Sequence, residues 1–166
     1  MTSRPDAMNE FKSQLQKGVI QQAYRGLLEY LLSLKSHFKN KYPEYILSGG
    51  LYQGYMDMAY FSFTPESFKR RNLKIAIVFN FEAFRFEVWL SGYNKQTQAE
   101  YWRLFKESGW DQYPLVPSII AEDAIVMHTL IENPDFDDLN WLTRQIETGT
   151  MQFIAYIDRF LSDHQA

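Results

Sequence analysis

Apolar residues recur at three- and four-residue steps in four stretches of the chain, which is the period of a helix that buries one face. The predicted helices cover Asn9–Lys17, Val19–Asn40, Lys95–Ser108 and a last segment from Asp137 or Asp138 to Phe160. Asn94 stands before the third helix as an N-cap, and Gly18 and Gly109 follow two helices, where glycine is favoured. Residues 1–8 contain no apolar run, so we expect a flexible tail.

Between the helices the apolar period shortens to two, which is the alternation of a β-strand. Strands are predicted in Ile46–Phe63 with a bend or turn near Gly54, in Leu73–Asn80, in Phe84–Ser91 and in Ala124–Ile131. The last stretch also suits a helical turn, but its short length and β-branched residues favour a strand. The short connection between Asn80 and Phe84 predicts an antiparallel hairpin.

The order of these elements predicts an α+β fold. We expect a mostly antiparallel sheet of four to five strands, packed with a long N-terminal helix, a middle helix and a long C-terminal helix. The length of 166 residues suits one domain, which we place at residues 9–166. The composition is that of a globular protein, with 46% hydrophobic and 17% aromatic against 22% charged residues.

Several classes of protein are disfavoured by composition. No stretch approaches the roughly 18 apolar residues of a membrane span, and the first residues lack the apolar core of a secretory signal. The absence of cysteine excludes disulfides, a cysteine nucleophile and thiolate metal sites. No sequence motif for a nucleotide cofactor or a zinc site is present. We therefore predict a cytoplasmic protein without a cofactor, a metal or a membrane partner.

The charge pattern argues against a nucleic-acid partner. There are 17 Lys and Arg residues against 20 Asp and Glu, so the chain carries a net charge of -3 and lacks a basic field. The dense basic cluster of Lys69, Arg70, Arg71 and Lys74 is typical of a solvated loop. Residues 1–83 are net basic and residues 84–166 net acidic, and this polarity, together with the many aromatic residues, suits a protein partner or a homodimer.

Strand alternation also predicts which side chains share a face of the sheet. If Met56, Met58 and Tyr60 point toward the long helix, the opposite face is mixed in character. Its candidate binding residues are Tyr55, Asp57, Arg85, Glu87 and Trp89. This set indicates either a groove for a small polar ligand or protein partner, or a structural network in which Arg85 neutralises Asp57 or Glu87.

The two carboxylates Asp57 and Glu87 also suit a divalent cation. The order of helices and strands is similar to the core of restriction-endonuclease-like folds, in which an Asp and a Glu-x-Lys motif hold magnesium. Here Glu87 is followed by Val88 and Trp89, so the lysine is missing. The first hypothesis is therefore a non-enzymatic binding protein. The alternative is a divalent-metal-dependent enzyme or a degenerate relative of these nucleases, which leaves open whether the protein catalyses a reaction.

Four strings of the sequence carry a resemblance to a known family. They are Gly50–Met58, Phe84–Leu90, Gly92–Lys95 and Asn133–Phe136. In these strings, and over nearly all of the chain after Met8, the protein resembles a family of small bacterial single-domain proteins catalogued only as a domain of unknown function. The resemblance implies a bacterial cytoplasmic protein with a single domain, and it implies no activity, cofactor or catalytic residue.

Overall fold

A computed structural model describes residues 1–118 and 123–165 of the chain. The helices among these residues are α1 (Arg4–Gln16), α2 (Val19–Lys41), α3 (Glu66–Lys69), α4 (Lys95–Glu107) and α5 (Leu139–His164). The strands are β1 (Ile46–Leu47), β2 (Tyr52–Gln53), β3 (Met58–Thr64), β4 (Leu73–Asn80), β5 (Arg85–Gly92) and β6 (Val126–Glu132).

The strands form one antiparallel sheet, which confirms the predicted α+β fold. Its order is β1-β3-β4-β5-β6, and β2 pairs with β3 beside this path. The predicted hairpin is present as β4 and β5, and the stretch that also suited a helical turn is the strand β6. The sheet has six strands because the predicted strand Ile46–Phe63 is divided into β3 and the two-residue strands β1 and β2.

The structure differs locally from the prediction at the first helix and after β3. The helix α1 begins at Arg4 rather than Asn9, because Ser3 Oγ accepts a hydrogen bond from the backbone of Asp6 and Pro5 occupies the first turn. Residues 4–8 are therefore helical, and the flexibility of residues 1–8 stays a prediction. A single helical turn, α3, also lies in the predicted loop that follows β3.

The chain divides into two compact units, Met1–Leu34 and the residues from Lys35 onward. All strands of the sheet belong to the second unit, together with α3, α4, α5 and the end of α2. Every site discussed below lies in this second unit. A single domain over residues 9–166 stays a prediction.

One face of the sheet forms the core of the second unit. Ala59, Phe61 and Phe63 of β3 are buried on it, and the register pairs Ala59 with Phe79 and Phe61 with Ile77. Residues paired across antiparallel strands lie on the same face. The hairpin accordingly contributes the buried side chains Ile75, Ile77, Phe79, Phe86, Val88 and Leu90 to this core face.

This register corrects the predicted phase of β3. We expected Met56, Met58 and Tyr60 on the core face, but Met58 and Tyr60 lie on the opposite face, and Met56 is in the turn before β3 with φ of 61°. Because β3 carries apolar residues at both alternations, hydrophobicity alone does not determine its phase. Pairing with β4 determines it, and this places Tyr60 opposite Val78, on the face we expected to be mixed.

The helix α5 lies against the sheet at β5 and β6. Its buried stripe contains Leu142, Ile146, Phe153 and Ile157, which recur at helical spacing as the apolar pattern predicts. A Cβ atom on Gly149 would lie 2.7 Å from Leu130 Cδ2, so glycine permits the close approach of the helix to β6. Although α5 has 26 residues, none of the described helices combines the length and apolar character needed to cross a membrane.

A buried carboxylate connects α5 with the end of α2. Glu147 Oε2 accepts a hydrogen bond from Lys41 Nζ at 2.8 Å, and Glu147 Oε1 lies 2.7 Å from His37 Nε2. Burial alone would raise the pKa of Glu147, but the hydrogen bonds and charges of Lys41 and His37 outweigh it and hold this pKa below its ordinary value. The ionised carboxylate is therefore favoured in the folded state.

We expect Glu147→Gln to lower the free energy of unfolding by about 2 kcal/mol at neutral pH, because the variant loses hydrogen bonds between charged groups. Because the pKa of Glu147 is lower in the folded state than its ordinary value of 4.5, the ionised carboxylate stabilises the fold above pH 4.5. This stabilisation is lost as the pH falls through the pKa of Glu147 in the folded state. Urea denaturation should therefore show that the difference in free energy of unfolding between wild type and Glu147→Gln becomes smaller as the pH falls below 4.5. Glu107→Gln, at an exposed position of α4, is the control. A pH-independent difference would contradict this role of Glu147.

Candidate binding site

Three of the five predicted site residues lie together on the face of the sheet opposite the core. Arg85, Glu87 and Trp89 alternate along β5, and their partners on β4 are Asn80, Val78 and Ala76. The predicted alternation of the hairpin is therefore correct. We call this surface the mixed face.

Glu87 is the centre of a hydrogen-bond network on the mixed face. Only 1% of this residue is exposed. Arg85 Nε donates to Glu87 Oε2 at 2.6 Å, and Trp89 Nε1 donates to Glu87 Oε1 at 2.9 Å. Arg85 also reaches Glu132 Oε1 at 3.4 Å. A buried carboxylate needs such partners, so this part of the predicted site is a structural ion-pair network.

Tyr55 and Asp57 do not join this network, and the prediction that they share the face of Glu87 is wrong. Both belong to the turn that connects β2 with β3. Asp57 Oδ1 accepts hydrogen bonds from the backbone N–H groups of Tyr55 and Met58, each at 2.9 Å. A Cβ atom on Gly54 would lie 2.3 Å from the same oxygen. Asp57 thus stabilises a turn, as aspartate often does.

This geometry does not support a divalent cation between Asp57 and Glu87. Both oxygens of Glu87 already accept hydrogen bonds from Arg85 and Trp89, and Asp57 Oδ1 is occupied by its own turn. Among residues 1–118 and 123–165, no group of three or more His, Asp or Glu side chains is arranged to hold a metal ion. The arrangement that would carry the metal-dependent alternative is therefore not formed by these residues.

An open cleft of about 350 Å³ lies elsewhere on the mixed face, and we call it the Lys74 cleft. Strands β2 to β5 and the start of α4 form its walls. The lining side chains that bear on ligand binding are Tyr52, Tyr60, Lys74, Trp89, Ser91, Tyr93, Lys95 and Asp123. Of the predicted site residues, Trp89 lines this cleft.

The aromatic wall of the Lys74 cleft comes from neighbouring strands. The rings of Tyr52 and Tyr60 stack with centroids 4.8 Å apart and an interplanar angle of 26°. Burial raises the pKa of Tyr60, and the nearby Tyr52 and Asp123 raise it further, so its hydroxyl stays protonated at neutral pH. Trp89 is buried beneath this wall. The cleft therefore offers ring surface and neutral hydroxyl groups.

Two lysines supply positive charge to the cleft. Lys74 lies on β4 opposite Ser91, and Lys95 is the first residue of α4. Within the part of the chain that the structure describes, neither lysine forms an ion pair with a carboxylate. The positive end of the α4 dipole lies at the same place, because α4 begins at Lys95.

The start of α4 is held against the sheet by Gly92. A Cβ atom on Gly92 would lie 2.4 Å from the backbone nitrogen of Gln98, so only glycine permits this contact. Gln98 Oε1 accepts a hydrogen bond from Gly92 N–H at 3.2 Å. Asn94 caps the helix as predicted, accepting from Thr97 N–H at 2.8 Å. These contacts fix the position of Lys95 relative to β5.

A second cleft of about 450 Å³ lies beside Arg85 and Glu87. Val116, one of its lining residues, packs with Trp89 and Ala124 in a small apolar cluster. Its charged groups are already bound to each other, and its other lining residues are mainly apolar. Among its described lining residues, the two that carry charge, Arg85 and Glu87, are therefore already paired with each other.

His128, the histidine of β6, lies on the helix-covered side. Its ring centroid is 4.5 Å from that of Tyr113, and its ring stacks with Phe153. Burial lowers the pKa of His128, so the imidazole is neutral near pH 7. These contacts pack the partly buried His128 against Tyr113 and α5.

The alternation rule missed Tyr52, Tyr60 and Lys95 as site residues. Tyr60 was assigned to the other face, and Tyr52 belongs to a two-residue strand that has no measurable alternation of its own. Lys95 could have been found from its place directly after the predicted cap Asn94. The sequence indicates for Lys74 only a basic cluster typical of a solvated loop, and no pattern in it predicts the open cleft around this residue.

Comparison with known proteins identifies a family. The family model described as Domain of unknown function (DUF7000) matches residues 5–161, so the chain belongs to this family, as its resemblance implied. Neither the curated proteins nor the solved structures contain a match. The family description names no ligand or reaction, so a function has to be argued from the geometry of the site.

We expect Arg85→Met to lower the free energy of unfolding by about 3 kcal/mol, because it leaves the buried carboxylate of Glu87 without its cation. The double variant Arg85→Met/Glu87→Gln should recover much of this loss, since it removes the buried charge and keeps an acceptor for Trp89. Chemical denaturation of the three proteins measures both effects. Arg103→Met, at an exposed position of α4, is the matched control. If Arg85→Met were as mild as this control, Arg85 would not be structural.

Proposed function

We propose that this protein, a member of the family named above, is a non-enzymatic binding domain whose site is the Lys74 cleft. The ligand is a small molecule that combines an anionic group with a flat ring. The Lys74 cleft lies on the mixed face and contains Trp89, whereas Arg85 and Glu87 do not line it and are paired with each other.

The observation that carries the proposal is the meeting of two lysines without described carboxylate partners and a tyrosine stack in one open cleft. Lys74 and Lys95 suit an anionic group such as a phosphate or carboxylate. The exposed fraction of Tyr52 is 48%, so a flat ring of the ligand can stack on it. The volume of about 350 Å³ lies at the lower end of the roughly 300–1,000 Å³ found for small-molecule sites, so a molecule of mononucleotide size suits it.

The surrounding charge also favours an anion. Tyr93 N–H donates to the carbonyl of Asn72 at 2.8 Å, which brings the basic residues Lys69, Arg70 and Arg71 to the same end of the sheet as the cleft. Like charges at the same end of the sheet as a cleft raise the local concentration of an oppositely charged ligand.

The lining residues support binding rather than catalysis. The described lining contains no histidine, and its one carboxylate, Asp123, is not paired with a nucleophile in a hydrogen bond. A general acid or base would need such a partner within hydrogen-bonding reach of the reacting group. We further propose a bacterial, cytoplasmic setting, which rests on the family resemblance and the absence of cysteine; a homodimer stays a prediction.

A titration with three probes tests the ligand class. Adenosine 5′-monophosphate carries both a ring and an anion, adenosine carries the ring alone, and inorganic phosphate carries the anion alone. We expect the monophosphate to raise the unfolding temperature more than either other probe. Isothermal titration should show that Lys74→Met and Tyr52→Ser each raise the Kd for the monophosphate at least about tenfold. The first substitution removes a cation that binds the anionic group, and the second removes the ring on which the base stacks.

Matched controls separate the cleft from the rest of the protein. Lys39→Met removes an exposed lysine outside the cleft and should leave Kd unchanged. Asp57→Ala should lower stability, because the turn loses its acceptor, yet leave Kd unchanged. If no probe stabilises the protein, the proposed ligand class is wrong; if binding survives both cleft variants, the Lys74 cleft is not the site.

A further inference from the structure

Three connections meet at one end of the sheet, and we call this region the turn end. It consists of residues 54–57, 81–84 and 132–138. The register brings them together, because Asn80 pairs with both Met58 and Arg85, and Arg85 pairs with Glu132. The N–H of Phe81 donates to the carbonyl of Asp57 at 3.0 Å. Along β4 and β5, the turn end is opposite to the end that carries Lys74 and Lys95.

Apolar side chains of the turn end lie in solvent. The exposed fraction is 98% for Tyr55 and 50% for each of Met56 and Phe84. Met56 and Phe84 have φ values of 61° and 52°, in the left-handed region that glycine and asparagine adopt more readily. The chain thus exposes large apolar side chains at positions where a small or polar residue would suit the backbone better.

Negative charge surrounds these apolar side chains. The turn end contains the carboxylates of Asp57, Glu82, Glu132, Asp135, Asp137 and Asp138, and its sequence has no Lys, Arg or His. The cation next to it, Arg85, is bound to Glu87 and Glu132. Backbone N–H groups orient Asp57, Asp135 and Asp138 without neutralising their charge. A partner that fits this surface must therefore carry positive charge.

We infer that the turn end is a docking surface for a protein segment that presents apolar side chains flanked by lysine or arginine. The apolar side chains of the segment cover Tyr55, Met56 and Phe84, and its cations face the surrounding carboxylates. An anionic lipid surface has the same sign of charge as the turn end and is repelled by it. Two copies of the turn end repel each other for the same reason, so a basic protein segment is the occupant that the charges favour.

The test uses a fluorescent amphipathic peptide of leucine and lysine as the probe, with anisotropy as the readout. We expect binding to the full chain that weakens with added salt, because it depends on exposed charges. Tyr55→Ser/Met56→Asn should raise Kd at least about tenfold. Since asparagine accommodates the left-handed backbone, this variant should unfold at the same temperature as wild type or higher, which separates lost docking from lost folding.

Further variants separate the contribution of the carboxylates to peptide binding from that of the apolar side chains, and further probes test other occupants of the turn end. Glu82→Gln/Asp137→Asn should weaken peptide binding severalfold. Tyr93 is 79% exposed at the opposite end of the hairpin, so Tyr93→Ser should leave the Kd for the peptide unchanged. Absence of peptide binding, equal binding of a leucine–glutamate peptide, or an unchanged Kd in Tyr55→Ser/Met56→Asn would each overturn the inference. The inference would also be overturned if the protein bound phosphatidylserine vesicles or associated with itself, and Tyr55→Ser/Met56→Asn abolished that binding or association.

Discussion

The antiparallel register between β3 and β4 is the constraint on which both faces of the sheet depend. Pairing of Ala59 with Phe79 sends Ala59 and Phe61 into the core and leaves Tyr60 on the mixed face with Lys74. A shift by one residue would exchange every side chain of β3 between the faces. The same backbone pairing therefore decides what the core contains and which rings line the cleft.

The charged residues of the mixed face fall into two groups that differ in how deeply they are buried. Glu87 is buried, and an ionised carboxylate in that position needs Arg85 and the indole N–H of Trp89 to replace its lost hydration. Lys74 and Lys95 line an open cleft, and neither has a carboxylate partner among the described residues. Charged residues on one face of one sheet are thus paired at one place and lack a described carboxylate partner at another.

The two ends of the hairpin differ in charge, and this polarity arises from the fold rather than from the halves of the chain. Lys69 to Lys74 and Lys95 lie at the end with the cleft, although they come from different halves of the sequence. Asp57 and Glu82 belong to the basic half, yet they lie at the turn end with Glu132. Antiparallel strands bring distant segments to the same end of a sheet, so charge counted along the chain does not describe the surface.

Local patterns in the sequence determined the types of the main elements, the cap at Asn94, the β4–β5 hairpin and the stripe of α5, because each depends on residues close together in the chain. The same patterns predicted the face shared by Arg85, Glu87 and Trp89, since one strand alternates regularly. Only the tertiary structure decided the phase of β3, the turn role of Asp57, and the meeting of Tyr52, Tyr60, Lys74 and Lys95. These features depend on pairing between strands and on the docking of α4 at Gly92, which are contacts between distant residues that no local period encodes.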